Sequence, residues 1–249
     1  MKKKLTKQSK LRLDVLLVKK GLAESREKAQ AYILSRHVLS GDKLFTKPGE
    51  QVLEDIEIRI KNKNNYVSRG AHKLKHALEH FQINLKGKTC LDVGASTGGF
   101  TQVCLEKGAV KVYALDVGVN QLDWKLRQDP RVIAMEGINI RYASRDVLLE
   151  KVDFICIDTS FISLKLVLPA VQCFLKSNAL GLALIKPQHE VGKDQVGKGG
   201  IVNDPKLHER VAREITEFIQ RIGFKVKGLI ESPIKGFYGN KEFLISFQY

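Results

Sequence analysis

The chain has 249 residues, 43% of them apolar and 28% charged, with a formal net charge of +15. That length holds one or two domains with a sizeable core, and the charge points to a polyanionic partner, nucleic acid or an anionic membrane. A spanning protein is excluded on composition: the longest strong apolar run, Ala179–Ile185, is far shorter than the roughly 18 residues a transmembrane helix needs.

The first residues, Met1-Lys2-Lys3-Lys4-Leu5, are basic but lack the apolar stretch of a signal peptide, and Lys7 and Lys10 continue the charge with no acid between. A cytoplasmic protein without membrane insertion is expected, and no obligate protein partner is evident. Leu13, Leu16 and Leu17 predict a helix over Leu11–Lys20, and Ala29 and Ile33 a second over Ser25–Ser35. Gly21 closes the first and Ser25 caps the second. Two strand-like pieces follow, Val38–Phe45 and Val52–Ile60, with the turn-rich Thr46-Lys47-Pro48-Gly49 between them. This ααββ unit, residues 1–60 with its basic tail, is too small to hold much core of its own. The polar Lys61-Asn62-Lys63-Asn64-Asn65 opens a linker over 61–69, and 70–249 forms the second domain.

A helix from Ala71 to Phe81 begins that domain. Strands are predicted at Thr89–Val93, Lys111–Asp116, Val132–Met135, Asp153–Ile157, Ala179–Ile185, Lys225–Glu231 and Glu242–Phe247. Helices lie near Gly99–Lys107, Leu122–Gln128, Leu164–Phe174 and Lys206–Ile222. Such alternation defines an α/β fold with a doubly wound, mostly parallel sheet beside a small N-terminal α+β domain. Cys90, Cys104, Cys156 and Cys173 form no C-x-x-C pair and no zinc spacing, so they read as reduced core residues and no metal is expected.

Leu91-Asp92-Val93-Gly94-Ala95-Ser96-Thr97-Gly98-Gly99-Phe100 is a buried strand, a glycine turn and a helix start. In an open α/β sheet, the crevice beyond such a strand binds a nucleotide-like ligand. The spacing is neither the dinucleotide nor the P-loop pattern, so a pyrophosphate is not the obvious ligand. Asp116, at the end of the second strand, is suited to ribose hydroxyls; Asp92 to orienting the turn or meeting an amino-acid moiety; Asn139 to an adenine edge. The set suits S-adenosylmethionine.

Lys73, Asp158, Lys186 and Glu242 each lie at or beside the edge of an apolar segment, edges that a parallel sheet would bring together. An exposed lysine, with a reference pKa of about 10.4, is no base at neutral pH, but a second ammonium nearby and partial burial lower a lysine's pKa. Lys186 is the expected general base, acting on a sugar hydroxyl. Asp158 orients it and faces the methyl group, Lys73 adds the second charge, and Glu242 positions one of the lysines. Amino-group methylation would use a proline-containing loop after the fourth strand, where this chain has Asp158-Thr159-Ser160-Phe161. Cytosine C5 methylation would need a cysteine beside the crevice, and neither Cys90 nor Cys156 is so placed.

Arg12-Leu13-Asp14, Gly21, Ser25-Arg26, Ala29, Ile33, Val38 and Gly41-Asp42 resemble an S4 domain, whose basic helical face docks structured RNA. Arg12, Lys19, Lys20, Arg26, Lys28 and Arg36 are the candidate RNA contacts, with Arg69 beyond the linker. Together with Arg69-Gly70-Ala71-His72-Lys73-Leu74, the glycine turn, Ser160-Phe161-Ile162-Ser163, Lys186-Pro187-Gln188-His189-Glu190 and Gly239-Asn240-Lys241-Glu242, the whole chain resembles the TlyA family. Those hemolysin-labelled proteins belong with the FtsJ-like ribosomal RNA 2′-O-methyltransferases. The resemblance implies a class I methyltransferase fold, S-adenosylmethionine as donor, cytidine 2′-hydroxyls of ribosomal RNA or ribosomal subunits as acceptors, and catalytic roles for Lys73, Asp158, Lys186 and Glu242. Gln102 and Thr159 depart from the common pattern, His189 reads as structural or substrate-facing, and Val191–Gly200 as a mobile lid. Two other readings are a membrane-active hemolysin, for which no exposed amphipathic or spanning segment is visible, and an RNA-binding protein with an inactive methyltransferase fold.

Overall fold

The computed structural model describes residues 9–61, 66–236 and 238–249. Lys2, Lys3, Lys4 and Lys7, and the linker positions 62–65, lie outside the described residues. The chain divides into two compact units, Met1–Asn65 and Tyr66–Tyr249.

The first unit comprises β1 (Lys10–Arg12), α1 (Leu13–Lys19), α2 (Arg26–Leu34), β2 (Val38–Ser40), β3 (Lys43–Leu44), β4 (Gln51–Leu53) and β5 (Arg59–Ile60). Leu13, Leu16 and Leu17 form one face of α1 and pack with Ala29 and Ile33 of α2 against Val38, Phe45 and Val52. Gly21 turns the chain with φ +66, and the Ser25 hydroxyl accepts from the Lys28 amide at the start of α2. Three expectations change here. The helix expected from Leu11 begins at Leu13, because Lys10–Arg12 pairs antiparallel with β4. Val38–Phe45 is a hairpin whose turn is Gly41-Asp42. Val52–Ile60 breaks into β4 and β5, because β4 pairs with β1 while β5 pairs with β2.

The second unit runs α3 (Gly70–His80), β6 (Thr89–Val93), α4 (Gly99–Glu106), β7 (Lys111–Leu115), α5 (Trp124–Arg127), β8 (Val132–Met135), β9 (Val152–Ile157), α6 (Leu164–Val171), β10 (Leu175–Ile185), α7 (Pro187–Glu190), α8 (Pro205–Arg221), β11 (Lys225–Glu231) and β12 (Phe243–Gln248). Among the described residues its sheet has the order β11-β12-β10-β9-β6-β7-β8. Strands β10 to β8 are parallel, while β12 lies antiparallel against both β10 and β11. Side chains alternate between the two faces of the strands. Leu91, Val93, Ile155, Ile157 and Ile185 pack with α6 and α8, whereas Cys90, Phe154, Cys156, Leu182 and Leu184 pack with α3 and α4. This double burial explains why the central strands read as continuous apolar runs.

The register places the site. Val93 is level with Ile157, Ile157 with Ala183, and Ile185 with Phe243. Gly94, Asp158, Lys186 and Glu242 therefore leave the sheet along one edge. Lys73 reaches it from the buried face of α3, where Ala71, Leu74, Ala77 and Leu78 make up the rest of that face.

Candidate active site

Gly94 follows β6 with φ +85, and a Cβ there would stand 2.6 Å from the Asp158 carbonyl oxygen, so only glycine fits. Gly98 also has a positive φ, and Leu122 and Leu126 fill the place its side chain would take. The turn is thus bare backbone packed against the end of β9. It forms one wall of a cavity of about 380 Å³, lined by Gly94, Ala95, Ser96, Thr97, Gly99 and Phe100 with Lys73, Asp158, Ser160 and Lys186. Ser68, Arg69, Gly70, Ile234 and Lys235 close the far side, and Arg69 donates to the Lys235 carbonyl at 2.8 Å. Small-molecule sites commonly hold about 300–1,000 Å³, so the space suits a nucleoside-sized cofactor.

The three acids and amides expected around that cofactor differ in placement. Asp116 accepts from the Ser96 amide at 2.8 Å and from the Gly118 amide at 2.7 Å, which pins the turn, and it does not line the cavity. Asp92 is fully buried. One carboxylate oxygen accepts from the Thr101 hydroxyl at 2.7 Å and the other has no partner. Burial is the main reason its carboxyl is pushed up to about 7. Asn139 is exposed, accepts from the Arg141 amide at 3.1 Å and caps a short 3-10 turn, away from the cavity lining.

A second cavity, of about 350 Å³, is lined by Lys73, Asp158, Ser160, Phe161, Lys186, Gln188, His189, Tyr238 and Glu242. The two cavities share Lys73, Asp158, Ser160 and Lys186. The four charged groups form two ion pairs. Lys73 Nζ donates to Glu242 Oε2 at 2.7 Å, with both side chains at most 10% exposed. Lys186 Nζ lies 2.6 Å from Asp158 Oδ1, close in distance but without the direction of a hydrogen bond, so that oxygen has no donor. The Lys186 amine donates instead to Ser160 Oγ at 2.8 Å. Burial first, and then the charge of Lys186, push the His189 imidazole below its usual range. A larger cavity, about 590 Å³, lies at the opposite edge of the sheet and is lined by neither the glycine turn nor either ion pair.

Thiol chemistry finds no footing here. Cys90, Cys104 and Cys156 are buried and free, and burial pushes the Cys156 thiol up to about 12. Among the described residues no group of His, Cys, Asp and Glu side chains could hold a metal ion, and no helix is long and apolar enough to cross a membrane.

In the first unit, several candidate RNA-binding side chains already have acidic partners. Arg12 and Arg26 donate to buried Asp14 at 2.9 and 3.2 Å, and Lys19 pairs with Glu54. Lys20, Lys28 and Arg36 are exposed. Gln102 of the second unit accepts from the Val67 amide at 2.9 Å, which anchors the start of that unit. Sequence reasoning gave no role to Ser160, Ser68, Ile234 or Lys235, since nothing local marks residues that meet only across the sheet edge.

A doubly wound sheet with a glycine turn after its first strand is the architecture of enzymes that bind a nucleotide-like cofactor, and the chain belongs to the FtsJ-like methyltransferases, whose family model matches residues 66–249. Residues 11–58 match the S4 domain. Within that family the chain belongs with the TlyA proteins. It is 43% identical to "16S/23S rRNA (cytidine-2′-O)-methyltransferase TlyA" of Mycobacterium tuberculosis, over 94% of this chain and 88% of that protein. It is 49% identical to "Putative rRNA methyltransferase YqxC" of Bacillus subtilis, over 95% of this chain and 85% of the relative. The solved structure described as "Putative hemolysin from Streptococcus thermophilus" aligns with a TM-score of 0.75 at 46% identity, covering 97% of this chain and 89% of that one.

Proposed function

We propose that this protein uses S-adenosylmethionine to methylate ribose 2′-hydroxyls, of cytidine, in ribosomal RNA or ribosomal subunits in the cytoplasm. Lys73, Asp158, Lys186 and Glu242 carry the chemistry. Residues 1–60 dock the RNA, 61–69 link, and 70–249 catalyse. The observation that carries this reading is the junction of two cavities at Lys186 and Asp158, one walled by the glycine turn and the other open for an acceptor. The names of the TlyA relatives support the substrate class.

The cofactor, when bound, supplies an electrophilic methyl group. The backbone of Gly94–Gly99 would hold it at close range, with Arg69 and Lys235 on the facing wall of the cavity, and Asp92, bonded to Thr101 beneath the turn, would orient that backbone. A 2′-hydroxyl is a weak nucleophile, so the protein must align it and remove one proton. Lys186 takes that proton on Nζ. Asp158 holds the amine at the rim, and the buried Lys73–Glu242 pair keeps a neutral, fixed wall behind the acceptor. Lys20, Lys28, Arg36 and Arg69 remain the cations suited to phosphate, whereas Arg12, Arg26 and Lys19 answer first to internal acids.

Transfer of labelled methyl to ribosomal subunits tests this directly. Wild type is expected to label the RNA, and Lys186→Ala to lose about a hundredfold or more, the usual worth of a general base. Equal labelling by the two proteins would remove Lys186 from the mechanism.

A further inference from the structure

A base that works repeatedly must also lose the proton it gains, and Lys186 is only 8% exposed. Among the described residues its amine has two polar neighbours, Asp158 Oδ1 and Ser160 Oγ. A carboxylate beside an ammonium holds the proton in place. The Ser160 hydroxyl both accepts and donates. Ser160 is exposed, and it is the one uncharged residue that lines both cavities.

Resting on the reading of Lys186 as general base, we propose that Ser160 is the positioning residue for the Lys186 amine and the group that passes its proton to solvent. In the step, one Lys186 Nζ–H bond breaks as a bond forms from that hydrogen to Ser160 Oγ. The original Ser160 O–H breaks at the same time, and its proton goes to water. The amine is left neutral with a lone pair, and the serine is unchanged.

The local backbone is shaped to keep that hydroxyl in place. Phe161, directly after Ser160, has φ +63, a left-handed conformation that strains a non-glycine residue. The loop is held from its far end by Glu190, which accepts from the Ser163 hydroxyl at 2.5 Å and from the Leu164 amide at 2.8 Å. The bend therefore turns the chain at the position where Ser160 meets Lys186, on a loop clamped to the helix that Lys186 itself begins. The titratable groups facing Lys186 are Asp158 from the end of β9, His189 from α7, and Lys73 and Glu242 across the acceptor cavity.

The test uses the full chain, S-adenosylmethionine and ribosomal RNA. Ser160→Ala is expected to lower kcat about tenfold, with KM for RNA and for cofactor changed less than about twofold. Ser160→Thr, which keeps a hydroxyl, is expected to restore most of the rate. Undiminished kcat in Ser160→Ala, a loss carried by KM, or equally slow alanine and threonine variants would each overturn the proposal. A wild-type protein that labels no ribose would overturn the reading of Lys186 beneath it, whereas a labelling wild type matched by Ser160→Ala would overturn this inference alone.

Discussion

Each unit of the molecule sets a carboxylate against cations, and the two do so differently. Asp14 of the first unit is fully buried, and its oxygens accept from Arg12 twice, from Arg26, from Gln30 and from the Val15 amide. Asp158 of the second unit stands as close to Lys186, yet its facing oxygen accepts no hydrogen bond and both residues line open cavities. A buried charge whose bonding sites are all filled holds a fold together. One held by a single amine beside two cavities is placed to act on what those cavities hold.

The contrast can be broken from either side. Asp158→Asn keeps the shape and removes the charge, so methyl transfer is expected to fall about a hundredfold while hydrogen-exchange protection of β9 stays at its wild-type value. Asp14→Ala should do the reverse. Amide protection across α1 and α2 is expected to drop by about 3 kcal/mol, with the β6 and β9 amides unaffected. Hydrogen bonds from Arg12 above all hold the Asp14 carboxyl well below the usual range. Its contribution is therefore complete above about pH 4 and fades as pH falls through the depressed folded value.

Asp92 gives a third case, with the opposite sign. Its carboxyl is raised to about 7, so between about pH 4 and 7 the unfolded chain releases a proton that the folded one keeps. The contribution of this one group declines with rising pH over that window and levels off above it, by roughly 4 kcal/mol in all. Asp92→Asn, measured by denaturant unfolding across that range, is expected to flatten the slope; an unchanged slope would assign it to another group. The smallest effect belongs to Lys28, which is exposed and in no ion pair among the described residues. Lys28→Ala should reduce the dependence of log binding on log salt by about 0.7–0.9 if one phosphate contact is lost, with protection unchanged.

The same contrast governs what could be read in the sequence. The second unit was readable because its strands are long enough to show and alternate with amphipathic helices: Thr89–Val93, Val132–Met135 and Lys225–Glu231 have the bounds expected of them. In the first unit the strands are two or three residues long, and β1 pairs with β4 about forty residues away, a partnership without local periodicity. The turn within Val38–Phe45 was signalled by Gly41-Asp42 and overridden by the apolar residues around it. At the site, the strand ends that carry Asp158 and Lys186 were visible as the points where apolar runs stop. Which lysine pairs with Glu242 was not, because the antiparallel insertion of β12 beside β10 decides it. Ser160 lay beyond reach for the same reason, since its significance is one contact across 26 residues.

The central claim is that the lysine beside Asp158 takes a proton from a ribose hydroxyl. Digestion of methyl-labelled ribosomal RNA to nucleosides, followed by mass spectrometry, reads it most directly. The account predicts 2′-O-methylcytidine from the wild-type protein and none above background from Lys186→Met. A methyl group on a base, or 2′-O-methylcytidine made equally well by Lys186→Met, would contradict it.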